Sequence, residues 1–282
     1  MASVFYDYFG REAQNEQIRV RRIEPSDCFR VLAQGFADVV EMPTYPAFVG
    51  LFYGVAGAAL VSLTSFGNAL HLAFPLVAGF TLIGPFVAVG LYEMSRQREQ
   101  GFPATWRNTF AVFRSPALPS ILALGCLLFV IFAAWIEAAQ LLYVQAYGPN
   151  PPGAVIPFLR DVVTTERGRM LMALGALIGL FFAALALCIS VVSFPLMLDR
   201  EVPLVSAVAA SLRISRDNPV TIALWGAIVA VLLIVGQLLL FIGLAVVVPT
   251  LGHATWHLYR RAFEMELAAD LHMRCSVGAG PR

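Results

Sequence analysis

From residue 219 to residue 259 the chain carries no Asp, Glu, Arg or Lys. An α-helix crosses the ~30 Å hydrocarbon core of a bilayer in about 20 residues, so this stretch is long enough for two crossings. A tight turn must join them, and Gly236-Gln237 marks its expected place. A single, strongly tilted helix is the competing reading.

The same length rule applied along the chain predicts six transmembrane spans, at 45–66, 70–94, 117–142, 170–197, 219–236 and 238–259. Composition agrees. Of 282 residues, 59% are hydrophobic and only 13% charged, well below the usual quarter for a soluble domain. The expected fold is therefore all-α, a polytopic membrane helix bundle. Residues 1–44 form a cytoplasmic segment with an amphipathic helix, 45–260 the transmembrane domain and 261–282 a cytoplasmic tail. The first forty residues are polar, so internal helices rather than a cleavable signal are expected to direct insertion.

All 19 basic residues are arginine, and their distribution orients the bundle. Sixteen fall in the N-terminal segment, the second-to-third and fourth-to-fifth connections, and the tail. The remaining three lie in the 143–169 loop. Basic residues accumulate on the cytoplasmic side, so both termini are expected there, in a bacterial inner membrane. In the outer loop, Gly148, Pro149, Pro151 and Pro152 break regular structure, and residues 156–163 then suit one short interfacial helix. Net charge is +1, which favours no nucleic-acid partner. The expected partners are the lipid bilayer and a membrane protein or further copies of the chain.

The two inner connections look alike. Met94-Ser95-Arg96 leads to Pro103, an amphipathic stretch, Ser115-Pro116 and an apolar run. About a hundred residues later, Met197 to Arg200 leads to Pro203, another amphipathic stretch, Asn218-Pro219 and another apolar run. A third copy begins at Pro25-Ser26, with Ser26 and Asp27 as helix caps and Phe29, Leu32, Phe36 and Val40 on one helical face. Three units, each an interfacial helix plus a membrane hairpin, account for six crossings.

Several strings resemble a bacterial family of predicted integral membrane proteins of unknown function, some of whose members carry the label cytochrome c oxidase subunit I. They are Gly84-Pro85-Phe86 with Gly90 to Arg96, Ser193-Phe194-Pro195 with Asp199-Arg200, and Leu251 to Arg260. The resemblance implies a membrane architecture and no particular reaction. The oxidase label fails on the residues. His71, His253, His257 and His272 are all the histidines present, too few to ligate two haems and copper.

Ionisable groups inside a membrane invite functional scrutiny. Glu137, beside Gln140 in the third span, is a candidate outer intramembrane site, although a carboxylate near the boundary can simply reach water. At the inner rim, Tyr92 and Glu93 end the second span while His253, Trp256, His257 and Tyr259 share the end of the sixth. His253 and His257 are one helical turn apart, a spacing that metal ligands use, but two histidines are a weak signal. A structural clamp in which Glu93 pairs with a histidine is the reading preferred here, with Trp256 and Tyr259 as interfacial anchors. Cys28, Cys126, Cys188 and Cys275 have no ligand or disulfide spacing. No phosphate-binding loop, dinucleotide fingerprint or nucleophile elbow is present, so no cofactor, metal or enzymatic activity is expected. Gly50, Gly54 and Gly57, and Gly175 with Gly179, read as close-packing faces. The functional expectation is a non-enzymatic scaffold, assembly or envelope-maintenance protein, with a small-solute transporter or channel as the alternative.

Overall fold

The computed structural model describes residues 22–41, 84–101, 112–149, 155–239 and 243–277, with a few isolated positions between 55 and 76. Among the described residues every regular element is a helix. In chain order these are α1 (Pro25–Glu41), α2 (Gly84–Glu99), α3 (Leu118–Tyr147), α4 (Val155–Thr164), α5 (Glu166–Ser190), α6 (Ser193–Arg200), α7 (Leu204–Asp217), α8 (Pro219–Leu238) and α9 (Leu244–Val277).

Among the described residues, three stretches are long and apolar enough to cross a membrane: α3, the 35 residues of α5 and α6 together, and α8. They correspond to the expected third, fourth and fifth spans. The first span, most of the second and the connection at 102–111 lie outside the described residues, as do Gly50 and Gly54. The sixth differs. The apolar part of α9 covers only 244–259, about 24 Å of helix at 1.5 Å per residue, and the helix then runs on past Arg260 and Arg261. No break separates membrane domain from tail at 260.

The hairpin between α8 and α9 is present, but α8 runs on through Gly236-Gln237 to Leu238, and α9 begins at Leu244. Gly236 stays helical because its missing side chain makes room. A Cβ there would lie 2.7 Å from a Leu244 methyl and 3.3 Å from the Leu244 nitrogen. The fourth span is also not one continuous helix. It breaks at Val191-Val192, where Ser193 donates to Ile189 O (2.5 Å) and Ala207 O (3.1 Å).

Local signals set the ends. Pro25 opens α1, and Asp27 rather than Ser26 completes the cap by accepting from the Glu24 nitrogen at 3.1 Å while its own nitrogen donates to Glu24 O. Thr165 caps α5 by accepting from Gly168 N at 3.0 Å. Pro203 sits at the N-cap of α7. α4 is the short helix expected in the outer loop, held against α3 by Phe158 between Tyr143 and Tyr147. A Cβ on Gly179 would lie 3.2 Å from the Trp135 indole, which makes it a close-packing position between α3 and α5.

The best-buried large side chains, Phe194, Trp225, Trp256 and Tyr259, belong to α6, α8 and α9. They lie at the end of the bundle where the polar groups gather. Here α1 crosses α9 with almost no gap at Gly35, and α2 crosses it at Gly252, where a Cβ would meet Leu91.

Candidate inner-rim polar cluster

Those two close crossings aim one stretch of α9 at three neighbours. His253, only 2% exposed, points its Nδ1 at Ser95 Oγ of α2, 2.7 Å away. One turn on, His257 Nε2 is 2.8 Å from Asp38 Oδ2 of α1. Asp38 also lies 4.0 Å from His253 Nδ1 and accepts from Arg98 at 2.6 Å. Arg98 additionally pairs with Glu41. Trp256 Nε1 donates to Glu99 at 3.0 Å, and Arg260 bridges Glu99 (3.0 Å) and Asp199 (3.6 Å). Tyr259 donates to Asp199 at 2.6 Å, and Arg261 reaches back to Asp27 at 2.5 Å.

The structure therefore brings Tyr92, His253, Trp256, His257 and Tyr259 to one rim, with Tyr92 stacked on Trp256 at 6.5 Å between centroids. It does not pair Glu93 with the histidines. Glu93 is buried against its own helix, accepting from Arg96 (2.9 and 3.0 Å) and Gln97 (2.7 Å). Arginine three residues on supplies a local two-pronged partner, while the histidine face of α9 is turned toward α1. The histidines' carboxylate is Asp38.

The sequence reading missed Asp38, Ser95, Arg98, Glu99 and Asp199. A signal for Asp38 existed. It falls in register with Cys28, Val31 and Gly35, the buried face of α1, where a lone charge demands a partner. Phe29, Phe36 and Val40, on the apolar face expected of an interfacial helix, lie on the exposed side of α1.

Burial alone would push the Asp38 carboxyl up. The His257 hydrogen bond and the charges of His253, His257 and Arg98 outweigh it and hold Asp38 below its ordinary value. A serine, a histidine and an aspartate thus meet, but not as a nucleophile system. A working triad places serine and carboxylate on opposite ring nitrogens. Here both approach Nδ1 of His253. Nor do three His, Cys, Asp or Glu side chains among the described residues converge as metal ligands.

The second candidate site is not built in this way. Glu137 is exposed on the outer surface of α3, and Gln140 is half-buried on the same helix. Nearby, Tyr147 donates to Asp161 (2.6 Å) beneath Arg167, whose guanidinium sits 4.5 Å from the ring centre.

A membrane helix bundle whose polar groups are collected at its rims agrees with what the chain is similar to. Residues 73–199 match the family described as predicted integral membrane protein, DUF2189. Within this DUF2189 match lie the strings at Gly84 to Arg96 and at Ser193 to Asp199, whereas α1 and the histidines of α9 lie outside it. The function of that family is unknown. No curated protein and no solved structure matches the chain.

Proposed function

We propose that this protein is a non-enzymatic component of the bacterial inner membrane, a scaffold, assembly or envelope-maintenance protein with six crossings and both termini in the cytoplasm. One observation carries the reading. The described parts of the four arginine-rich segments meet at one end, where their charges answer one another: Asp38 and Glu41 with Arg98, Asp27 with Arg261, and Glu99 and Asp199 with Arg260. α1 works as a strap that ties α2, α8 and α9 together at that end. Such a network rigidifies a platform, which supports a structural role. Further along the described helices, Ser193, Ser211, Ser215 and Thr221 spend their hydroxyls on backbone carbonyls, so they line no polar lane.

The test is flux. Full-length protein in proteoliposomes should pass ions, sugars and amino acids no faster than empty vesicles, and saturable uptake of any of these would overturn the proposal. One feature favours the alternative, a small-solute transporter. The break at Val191-Val192 interrupts a membrane span, and discontinuous helices form substrate sites in transporters.

A further inference from the structure

The corner where α1, α7 and α8 meet combines features that the rim network does not use. Ile23 N donates to Asn218 Oδ1 at 2.8 Å, Thr221 Oγ1 donates to Ile23 O at 2.8 Å, and the Cys28 thiol points at Thr221 O. The start of α1 is thereby pinned to the first turn of α8. α8 is a membrane span of 20 residues, a length that just fills the hydrocarbon core. Its first turn therefore marks the depth at which acyl chains give way to headgroups.

Near that turn the chain presents both apolar and basic side chains to the surface. Phe29, Leu212 and Val220 are exposed, Val220 on α8 itself. Arg22, Arg30, Arg213 and Arg216 are exposed beside them, with 78% of the Arg216 side chain open. With Arg261, five arginines face three carboxylates at this corner, Glu24, Asp27 and Asp217. Asp27 is held by Arg30 and Arg261, and Asp217 by a loose 3.3 Å contact with Arg216. Arg22 and Arg213 are exposed and add further positive charge.

We propose that this corner binds an anionic phospholipid of the adjoining leaflet, its phosphate taken by Arg213 and Arg216 with Arg22 alongside, and its chains lying against Val220, Leu212 and Phe29. Arginine matches phosphate geometry in two-pronged fashion, and basic side chains next to an anionic leaflet gain affinity individually. The leaflet is the favoured occupant because exposed Val220 belongs to α8, a helix long and apolar enough to cross a membrane. The inference depends on α8 spanning the membrane and not on the scaffold reading.

The experiment uses full-length protein purified from nanodiscs of equimolar phosphatidylglycerol and phosphatidylcholine, with retained lipids counted by native mass spectrometry. Phosphatidylglycerol should be enriched. Arg213→Gln with Arg216→Gln should lower that enrichment by roughly tenfold or more, and Arg213→Lys with Arg216→Lys should keep part of it. Arg160→Gln with Arg169→Gln, which removes the same charge at the opposite end, should leave it unchanged. Melting temperatures in pure phosphatidylcholine check folding and should be equal for all variants, because these side chains project outward. Equal retention of both lipids, loss of enrichment in the opposite-end variant to the same degree, or a dimer in which a second copy covers the corner would each overturn the proposal. Loss of the preference in both the Gln and Lys variants with an altered melting temperature would likewise assign the arginines to structure rather than to lipid.

Discussion

Gly35→Ala tests the strap at its tightest point. The added Cβ would lie 2.5 Å from Thr250 O, 2.6 Å from Ala254 N and 2.8 Å from Ala254 Cβ. Two of these three atoms are backbone and cannot rotate away. Restoring ordinary contact requires α1 to withdraw from α9 by about 1 Å. One turn further along, the 2.8 Å contact between Asp38 and His257 would open toward about 3.8 Å, outside hydrogen-bond range. Overpacking of this kind costs about 1–3 kcal/mol. The weakened charge-assisted bond adds about 1.5 kcal/mol. Alanine's better helix propensity returns about 1 kcal/mol, so the clash wins by roughly 2 kcal/mol. Thermal unfolding of the full chain in mild detergent should then fall by about 5 °C. Gly175→Ala is the matched control, because its Cβ would meet only a Leu142 methyl at 3.9 Å, and it should be neutral or stabilising. If Gly35→Ala is as stable as Gly175→Ala, α1 does not pack on α9 in this way.

Other substitutions probe separate features. Asp38→Asn keeps the shape and removes the charge shared by His257 and Arg98, and should cost about 1–2 kcal/mol after allowing for the partial exposure of Arg98. Because the Asp38 carboxyl is held below its ordinary value, its contribution is complete above the unfolded value of about 3.9 and is lost as pH falls below it. The parent should therefore lose stability more steeply than Asp38→Asn when melting is followed from pH 6 down to pH 3, and parallel curves would count against the pairing. Glu201 ends α6 in the left-handed region at φ 52°, so Glu201→Gly should gain about 0.5–1 kcal/mol in the same melting assay. Thr165→Ala removes the α5 cap and should lose about 1 kcal/mol.

Apolar run length placed α3, α5, α8 and the α8–α9 hairpin in the sequence before any geometry was known, because the bilayer leaves few other options for such runs. The outer helix α4 was legible from the prolines before it. What went unread was the second face of α1, the one that packs on α9. The large residues Phe29, Phe36 and Val40 dominate the hydrophobic pattern of α1, yet a crossing as close as that at Gly35 is made by small ones. Cys28, Val31 and Gly35 mark it, and they weigh little in such a pattern. The partner of the histidines was missed for the same reason, since Asp38 lies on that small-residue face and 219 residues away from His257. The turn was placed too early because Gly236 serves packing rather than bending.

The central claim is that the arginine-rich segments meet at one membrane face, with α4 at the other. Single cysteines at positions 30, 216 and 160, in a chain with Cys126, Cys188 and Cys275 replaced by alanine, can be treated with a membrane-impermeant maleimide in oriented vesicles. Cys28 is buried and stays in place. Positions 30 and 216 should label only in inverted vesicles and position 160 only in right-side-out vesicles. Labelling of 30 and 216 from opposite faces would contradict the account.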